Sequence, residues 1–295
     1  MERKLKINLE FGGPPFEIVL PGTRSGRDPS RSIRRGPSRL PPEVVAANQR
    51  DRLLDGVVRT VARHGYAGAR VSDICLAAGV TRPVFYEQFS GKEEAYLAAH
   101  RLGTAVVIRR MEEAFAAESD WCAGVRSALR MLLGILAEAP AFATMAVVEL
   151  DALGPAGRLV RERLLSRFRR LFAHCPPTPA GVGAELLADT IVGGVHSAVY
   201  RCVAAGRHAE LPDLLGTLGY FALAPYLGPV EAADRLARAE ARGGARPGPL
   251  LACTLERSAP TPPAAGRAEN GLGSGLESGP PGRPAAGASG QVTPR

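Results

Sequence analysis

One stretch, VSDICLAAGVTRPVFYEQFSGK at residues 71–92, constrains the fold of this chain more than any other. Its first half carries four apolar residues at helical spacing, namely Val71, Ile74, Cys75 and Ala78. This spacing predicts a short helix with one buried face. Gly79 can then turn the chain sharply, and Thr81 is a favourable N-cap for a second helix. Helix, glycine-containing turn and helix together indicate a helix-turn-helix.

The predicted second helix has two faces with different chemistry. Val84, Phe85 and Phe89 are apolar and are expected to hold the helix against its neighbour. Arg82 and Tyr86 lie four positions apart and therefore project from one side. An arginine can donate two hydrogen bonds to a guanine, and a tyrosine hydroxyl can donate to a phosphate oxygen. This side of the helix is therefore expected to contact DNA.

A third helix is expected to begin at the motif Ser90-Gly91-Lys92-Glu93. A serine followed three positions later by a glutamate is a capping box, with Ser90 as the cap and Glu93 reaching back. Lys92 falls in the first turn, where the helix dipole disfavours a cation. We therefore expect Lys92 to bind an external anion, a DNA phosphate. The full set of expected DNA-binding residues is Thr81, Arg82, Pro83, Phe85, Tyr86, Gln88 and Lys92.

These residues resemble the DNA-binding signature of the TetR family of bacterial transcriptional regulators. The positions that carry the resemblance are Ile74, Ala78-Gly79-Val80, Thr81, Phe85-Tyr86, Phe89 and Lys92-Glu93. The family has a further helix ahead of this motif, so the resemblance covers about residues 49–100. The chain departs from the family pattern at Arg70, where a capping Ser or Thr is usual, at Pro83, and at Glu87-Gln88. Its preferred DNA sequence is therefore expected to differ.

The resemblance implies an all-α protein, with an N-terminal three-helix helix-turn-helix DNA-binding domain followed by an α-helical ligand-binding and dimerisation domain. It also implies a homodimer on a palindromic DNA operator, mostly a repressor, released by an unidentified small-molecule effector. Two recognition helices would enter successive major grooves, roughly 34–36 Å apart. The expected domains are a disordered basic extension (1–42), the DNA-binding domain (43–100), the effector-binding and dimerisation domain (101–230), and a disordered tail rich in Gly, Ala and Pro (231–295).

Total charge supports DNA binding only weakly. The net charge of +8 suits a polyanionic partner. However, residues 43–100 contain seven Lys or Arg against seven Asp or Glu, whereas residues 1–42 contain nine against four. The helix-turn-helix pattern, rather than the charge, therefore carries the prediction.

Cysteine usage and hydropathy indicate the compartment. The five cysteines have no paired spacing, which argues against a disulfide framework or a zinc module and is typical of a reducing compartment. The sequence has no signal-peptide pattern and no long uncharged apolar run. We therefore expect a cytoplasmic protein with no membrane anchor.

Two segments near the end of the helical region predict a dimer interface. Residues 183–205 are apolar almost all round, and residues 211–227 carry a second apolar stripe. A helix that is apolar on every side must be buried on every side. We therefore expect subunits to meet at Val195, Val199, Leu215, Leu218 and Ala222. The alternative is that these stripes pack on each other within one subunit.

The effector pocket is expected to involve Trp121, Phe142, Met145, Phe168, His196 and Tyr200. His196 has two interpretations of about equal weight, as a satisfied core residue or as a pocket residue. The other alternative functions are an enzyme and a non-specific architectural DNA-binding protein. The pairs His174-Cys175 and His196-Ser197 lack a third partner or a catalytic motif, so no catalysis, metal or cofactor is expected. Architectural binding would require more positive charge in the folded part.

The two ends of the chain are rich in Gly, Pro, Ser and Arg, and are predicted to be disordered. The exception is residues 16–20, whose apolar character predicts a short extended piece. The basic run after it is either an arm that adds phosphate contacts or a solvated tail, and charge runs are usually solvated.

Overall fold

The computed structural model describes residues 16–24, 41–241 and 252–255. Within these residues the protein is α-helical apart from one short two-stranded sheet, so the predicted all-α class is confirmed. The α-helices are α1 (Pro42–Gly68), α2 (Val71–Ala78), α3 (Arg82–Gln88), α4 (Lys92–Ala116), α5 (Trp121–Glu138), α6 (Pro140–Ala143), α7 (Pro155–Phe168), α8 (Ala184–Ala204), α9 (Leu215–Leu227) and α10 (Pro229–Ala241). A π-helical turn spans Thr144–Val148, and 3-10 turns span Glu149–Leu153, Arg169–Phe172 and His208–Leu214.

Helices α1 to α3 and the start of α4 enclose the core of the predicted DNA-binding domain. The large side chains buried there include Leu53, Val57, Ile74, Phe85, Phe89 and Tyr96. Each comes from the apolar stripe of its own helix, as the helical spacing predicts. The three-helix arrangement leaves one face of α3 pointing away from the core.

Helix α1 breaks at Gly65, whose φ of 69° and ψ of 162° are not helical. Only glycine adopts such a positive φ easily, which is why the chain can leave the helical path here. Tyr66 then packs edge-to-face on Tyr96, with ring centroids 5.3 Å apart. The regular part of α1 therefore ends at Gly65.

Helix α4 leaves the DNA-binding domain and packs along α5 in the second domain. Helix α5 also contacts α9, and α7 contacts α8, so that these helices surround a common apolar interior. Residues 144–153, in the π-helical and 3-10 turns, lie between this interior and α1. The second domain therefore touches the first through this segment as well as through α4.

The N-terminal segment contradicts the prediction of disorder for residues 1–42 where the structure describes it. Strand β1 (Phe16–Val19) pairs antiparallel with β2 (Ala252–Leu255), which confirms the predicted extended piece. Beyond β1, Leu20 is fully buried and the Gly22 amide donates to Asp55 Oδ1 at 2.7 Å. The chain is thereby attached to the side of α1, while residues 25–40 of the basic run lie outside the described residues.

The predicted tail begins later than expected. Residues 231–241 belong to α10, which packs on α9 through Ala232 and Leu236. These two residues are four positions apart and make one apolar face, which explains why the segment is helical. The boundary at 231 was therefore wrong; most of the tail lies outside the described residues.

No single helix in the described part of the chain is long and apolar enough to cross a membrane. Helix α5 together with residues 140–153 is apolar enough as a pair, but the pair is bent by 104°.

Candidate DNA-binding surface and ligand cavity

The corner between α2 and α3 depends on Gly79. Its φ of 65° and ψ of 39° are left-handed, and its amide donates to the carbonyl of Leu76 at 3.2 Å. The Arg52 guanidinium donates to the Gly79 carbonyl at 2.9 Å and ties the corner to α1. Arg70 stands at the N-cap of α2 without a side-chain hydrogen bond to the helix, as expected for a residue that is a poor cap.

Four of the expected DNA-binding residues lie together on the exposed start of α3. They are Thr81, Arg82, Pro83 and Tyr86, and the Tyr86 side chain is 51% exposed. Gln88 is half-buried, and its carbonyl accepts a hydrogen bond from Arg50 at 3.1 Å. Phe85 is fully buried, so its placement among DNA contacts was wrong. It packs against Phe89, with centroids 5.7 Å apart, and holds α3 in place.

The Lys92 ammonium binds backbone carbonyls of its own chain in this structure rather than facing an external anion. It donates to the carbonyls of Tyr66 at 2.6 Å and Ala69 at 3.0 Å, with the Ala67 carbonyl at 3.5 Å. It also lies 4.4 Å from the centroid of the Tyr66 ring. The last carbonyls of a helix have no partners within it and attract cations. The expectation of a phosphate contact is therefore corrected: Lys92 stabilises the end of α1.

The start of α4 differs in detail from the predicted capping box. Glu94, rather than Glu93, accepts from both the amide and the hydroxyl of Ser90, each at 2.7 Å. These two hydrogen bonds lower the pKa of Glu94. Because Gly91 takes the N-cap position, the pairing moves one residue along the chain.

The helical domain contains an apolar cavity of about 950 Å³, counting its open mouth. Its walls come from α4 to α9, the segment 144–153 and the 3-10 turn Arg169–Phe172. Among the residues expected to form the effector pocket, Phe142, Phe168 and His196 line the cavity. Of the two interpretations of His196, the structure favours the pocket residue; burial lowers its pKa, and the nearby Arg161 lowers it further.

The other three expected pocket residues lie outside the lining. Trp121 supports the wall from behind, because its indole donates to the Leu171 carbonyl at 2.9 Å and its ring lies 5.9 Å from that of Phe172. Met145 is fully buried, and its carbonyl accepts from the Tyr96 hydroxyl. Tyr200 lies one helical turn after His196 on α8, with ring centroids 6.4 Å apart.

The predicted dimer residues face the inside of the protomer. Val199, Leu218 and Ala222 are 3%, 5% and 1% exposed, and Val195 and Val199 line the cavity. Leu215 is half-buried. The prediction that Val199, Leu218 and Ala222 form the dimer interface was therefore wrong, because side chains buried within their own subunit cannot contact a partner subunit.

The sequence did not reveal the role of residues 144–153. Ala146, Val147 and Leu150 line the cavity. From the same segment, Glu149 Oε2 accepts from the Tyr66 amide at 2.7 Å, in the DNA-binding domain. No periodic pattern marks such a segment, because its function depends on two contacts remote in sequence.

A helix-turn-helix with an exposed recognition helix, joined to a helical domain with an internal cavity, defines a helix-turn-helix transcriptional regulator. Residues 53–99 match the family model described as bacterial regulatory proteins, tetR family, so this part of the chain is similar to the helix-turn-helix domain of TetR-family transcriptional regulators. No curated protein matches the chain. Within the described residues, no group of His, Cys, Asp and Glu is arranged to hold a metal ion.

Two solved structures are similar in fold. The fatty acid degradation regulator FadR of Bacillus halodurans is 20% identical, with a TM-score of 0.53, over 62% of this chain and 95% of that one. FadR of Bacillus subtilis, solved in complex with stearoyl-CoA, is 19% identical, with a TM-score of 0.52, over 60% of this chain and 97% of that one. Both structures share the all-α fold of this chain.

Proposed function

We propose that this protein is a cytoplasmic homodimer that binds a palindromic operator as a repressor and releases it when a small molecule enters the cavity. The observation that supports this most is the position of residues 144–153. One side of this segment lines the cavity through Ala146 and Leu150, and the other holds the DNA-binding domain through Glu149. A molecule in the cavity therefore has a direct route to the orientation of α3.

Operator reading is assigned to the exposed start of α3. In this proposal Arg82 reads a guanine edge, whereas Tyr86 and Thr81 contact phosphate. Pro83 at the second helical position costs nothing in backbone hydrogen bonds, because first-turn amides have no partner within the helix.

Selection of bound DNA from a random pool is the test of operator reading. Enrichment of a palindrome with half-sites about one helical turn apart, or a multiple of it, is expected. Arg82→Ala should relax the preference at one position per half-site by about 1–3 kcal/mol. Arg63→Ala, an exposed arginine on α1, is the matched control. A pool that shows no enrichment would instead favour non-specific architectural binding.

Dimerisation is assigned to the outer face of α8 and α9. Leu186 is 73% exposed, and Tyr220 and Phe221 are 41% and 40% exposed. A side chain at Gly193 would meet no atom within 4 Å, so a partner helix can approach closely there. Leu186, Gly193 and Ser197 share one face of α8, since they follow at i, i+7 and i+11. This face is apolar or small and lies on the side of α8 away from the cavity.

Release is assigned to two hydrogen bonds that cross from the segment 144–153 to the DNA-binding side. The Tyr96 hydroxyl donates to the Met145 carbonyl at 2.5 Å, and the Tyr66 amide donates to Glu149. Ala146, which follows Met145, lines the cavity, so a ligand that displaces it strains these bonds. The DNA-competent spacing of the two α3 helices is then less favoured.

Removing one of these bonds tests the route. Glu149→Gln should change the ligand concentration that releases operator DNA, measured by fluorescence anisotropy, while ligand affinity in the absence of DNA changes less. Glu162→Gln, an exposed glutamate on α7, is the matched control. Equal release curves for wild type and Glu149→Gln would show that the signal passes elsewhere.

A further inference from the structure

The cavity has a marked chemical asymmetry. Of the residues that line it, only Thr104, Arg161 and His196 carry a side chain with a nitrogen or oxygen atom. The Thr104 hydroxyl donates to the His100 carbonyl at 2.7 Å, so its hydrogen is already used. The rest of the lining is aliphatic or phenylalanine, apart from the thioether of Met111. Polar recognition is therefore concentrated at Arg161 and His196.

The one charged side chain among the residues that line the cavity is a cation. Arg161 carries the positive charge of a guanidinium, and its side chain is 26% exposed. Burial, and after it the nearby Arg161, lowers the pKa of His196 against an opposing contribution from Asp151, and this shift favours the neutral imidazole. No acidic side chain is among the residues that line the cavity. A cationic head group would therefore meet repulsion, whereas an anion would be attracted.

Arg161 is already ion-paired to Asp151, which lies outside the lining. One guanidinium nitrogen makes this contact, whereas a guanidinium carries five N–H donors in a planar fork. Arg161 therefore retains donors for a second acceptor that approaches from the cavity side. The ion pair also fixes the direction in which the guanidinium points.

We propose that the cavity binds a molecule with a long aliphatic chain and an anionic head group. The chain lies among Leu129, Leu132, Phe142 and Phe168, and the head group accepts from Arg161 beside His196. This assigns a chemical class to the effector and rests on the proposed function of the helical domain.

The head group is also connected to the proposed release route. Asp151 lies two residues after Glu149 in the same short 3-10 turn, and Glu149 holds the Tyr66 amide. An anionic head that shares Arg161 weakens its pairing with Asp151. The bound molecule thus acts on the segment 144–153 at both its apolar and its charged contacts.

Binding of defined probes to the full chain is the first test. Trp121 is the only tryptophan and packs on Phe172 of the cavity wall, so its fluorescence reports occupancy. Octanoate, decanoate and dodecanoate should bind progressively more tightly, by about fourfold in Kd per added methylene. Dodecanol, with the same chain and a neutral head, should bind at least tenfold more weakly than dodecanoate.

Dodecanoyl-coenzyme A distinguishes two sources of the same chemistry. Tighter binding of the thioester than of dodecanoate assigns the anionic head to the coenzyme, and the reverse order assigns it to a free carboxylate. Either order supports the proposal if both anions bind more tightly than dodecanol. Equal binding of dodecanol and the anions, or no gain with chain length, would overturn it.

A pair of variants locates the head group. Arg161→Gln should weaken dodecanoate at least tenfold and leave dodecanol within about twofold. Arg163→Gln, an exposed arginine two positions along the same helix, should change neither. Loss of both ligands in a folded Arg161→Gln protein would place the head group elsewhere. The comparison of probes on the wild-type chain decides the ligand class even where the variant does not fold.

Operator release separates this inference from the proposed function. Dodecanoate that binds but leaves operator DNA bound would support the ligand class and contradict release by an effector. Conversely, if the protein binds operator DNA but binds neither dodecanoate nor dodecanoyl-coenzyme A, the result supports the DNA-binding proposal and contradicts the proposed ligand class.

Discussion

The recognition helix α3 and the long helix α8 both expose one face, but they do so for different reasons. In α3, Phe85 and Phe89 are buried, while Arg82 and Tyr86 are exposed, as polarity alone indicates. In α8, Leu186 is exposed and Val199 is buried, although both are aliphatic. The polarity of its own side chains determines which face of α3 is exposed. In α8, the packing of the neighbouring helices determines which face is exposed.

The difference shows where helical periodicity stops being informative. An amphipathic helix can be buried in only one orientation, because only one of its faces is apolar. A helix that is apolar all round can be buried in several orientations. Any of its faces can line the cavity, pack in the protein core or lie at an outer surface. In α8, the side chains of Ile191, Val195 and Val199 lie in the cavity wall or the core, and the side chain of Leu186 lies at the outer surface.

Two substitutions in α8 give the largest expected effect and test this division directly. Val199→Glu should destabilise the helical domain by about 3–5 kcal/mol, because it buries an unpaired carboxylate. Leu186→Glu should leave folding stability nearly unchanged but dissociate the dimer. Urea unfolding and analytical ultracentrifugation separate the two outcomes. Val230→Glu, at a 74% exposed position on α10, is the control. A folded but monomeric Val199→Glu protein would restore the interface predicted from the sequence.

The next largest effect on stability is expected at the junction between the two domains. His100 is buried there, and its Nε2 has no hydrogen-bond partner among the described residues. Burial lowers the pKa of His100 to about 4, although the Ala146 backbone opposes this shift. The unfolded chain takes up a proton below its ordinary pKa near 6.5, whereas the folded one resists until about pH 4. This group's contribution to stability is therefore complete above pH 6.5 and is lost as the pH falls to 4.

The size of this loss is roughly 3 kcal/mol at pH 4. Unfolding free energies of wild type and His100→Gln, measured from pH 7.5 to 4, should converge by this amount as the pH falls. His64→Gln, an exposed histidine on α1, controls for general effects. A constant difference between wild type and His100→Gln would show that His100 titrates normally in the folded protein.

A smaller effect on folding stability is expected from a substitution at Lys92. This substitution tests whether Lys92 stabilises the fold or contacts DNA. Lys92→Met keeps the aliphatic stem but removes the charge that holds the Tyr66 and Ala69 carbonyls. The DNA-binding domain should lose about 1–3 kcal/mol of stability. The salt dependence of operator binding should not change, as measured by anisotropy from 50 to 200 mM salt. Unchanged stability with a salt slope lower by about one would restore the phosphate contact.

The smallest effect is expected at Thr81, which occupies the N-cap of α3 but makes no side-chain capping hydrogen bond. Thr81→Ala should therefore change stability by less than about 0.5 kcal/mol, below the usual cost of losing a cap. Asp120→Ala is the matched comparison, because Asp120 accepts from the amides of Cys122 and Ala123 at 3.0 and 3.1 Å. Its loss should cost about 1 kcal/mol. A similar cost at both positions would mean that Thr81 caps α3 in solution.

The sequence by itself determined the all-α class, the corner at Gly79, the break at Gly65 and the exposed start of α3. Each of these depends on interactions between residues a few positions apart, through backbone conformation and helical spacing. The placement of Lys92, the contact from Glu149 to Tyr66 and the division of α8 among cavity, core and surface were decided only by the tertiary structure. Lys92 contacts carbonyls more than twenty positions away, and Glu149 contacts an amide 83 positions away. No local pattern encodes such distances, because the free energy of these contacts depends on which segments the fold brings together.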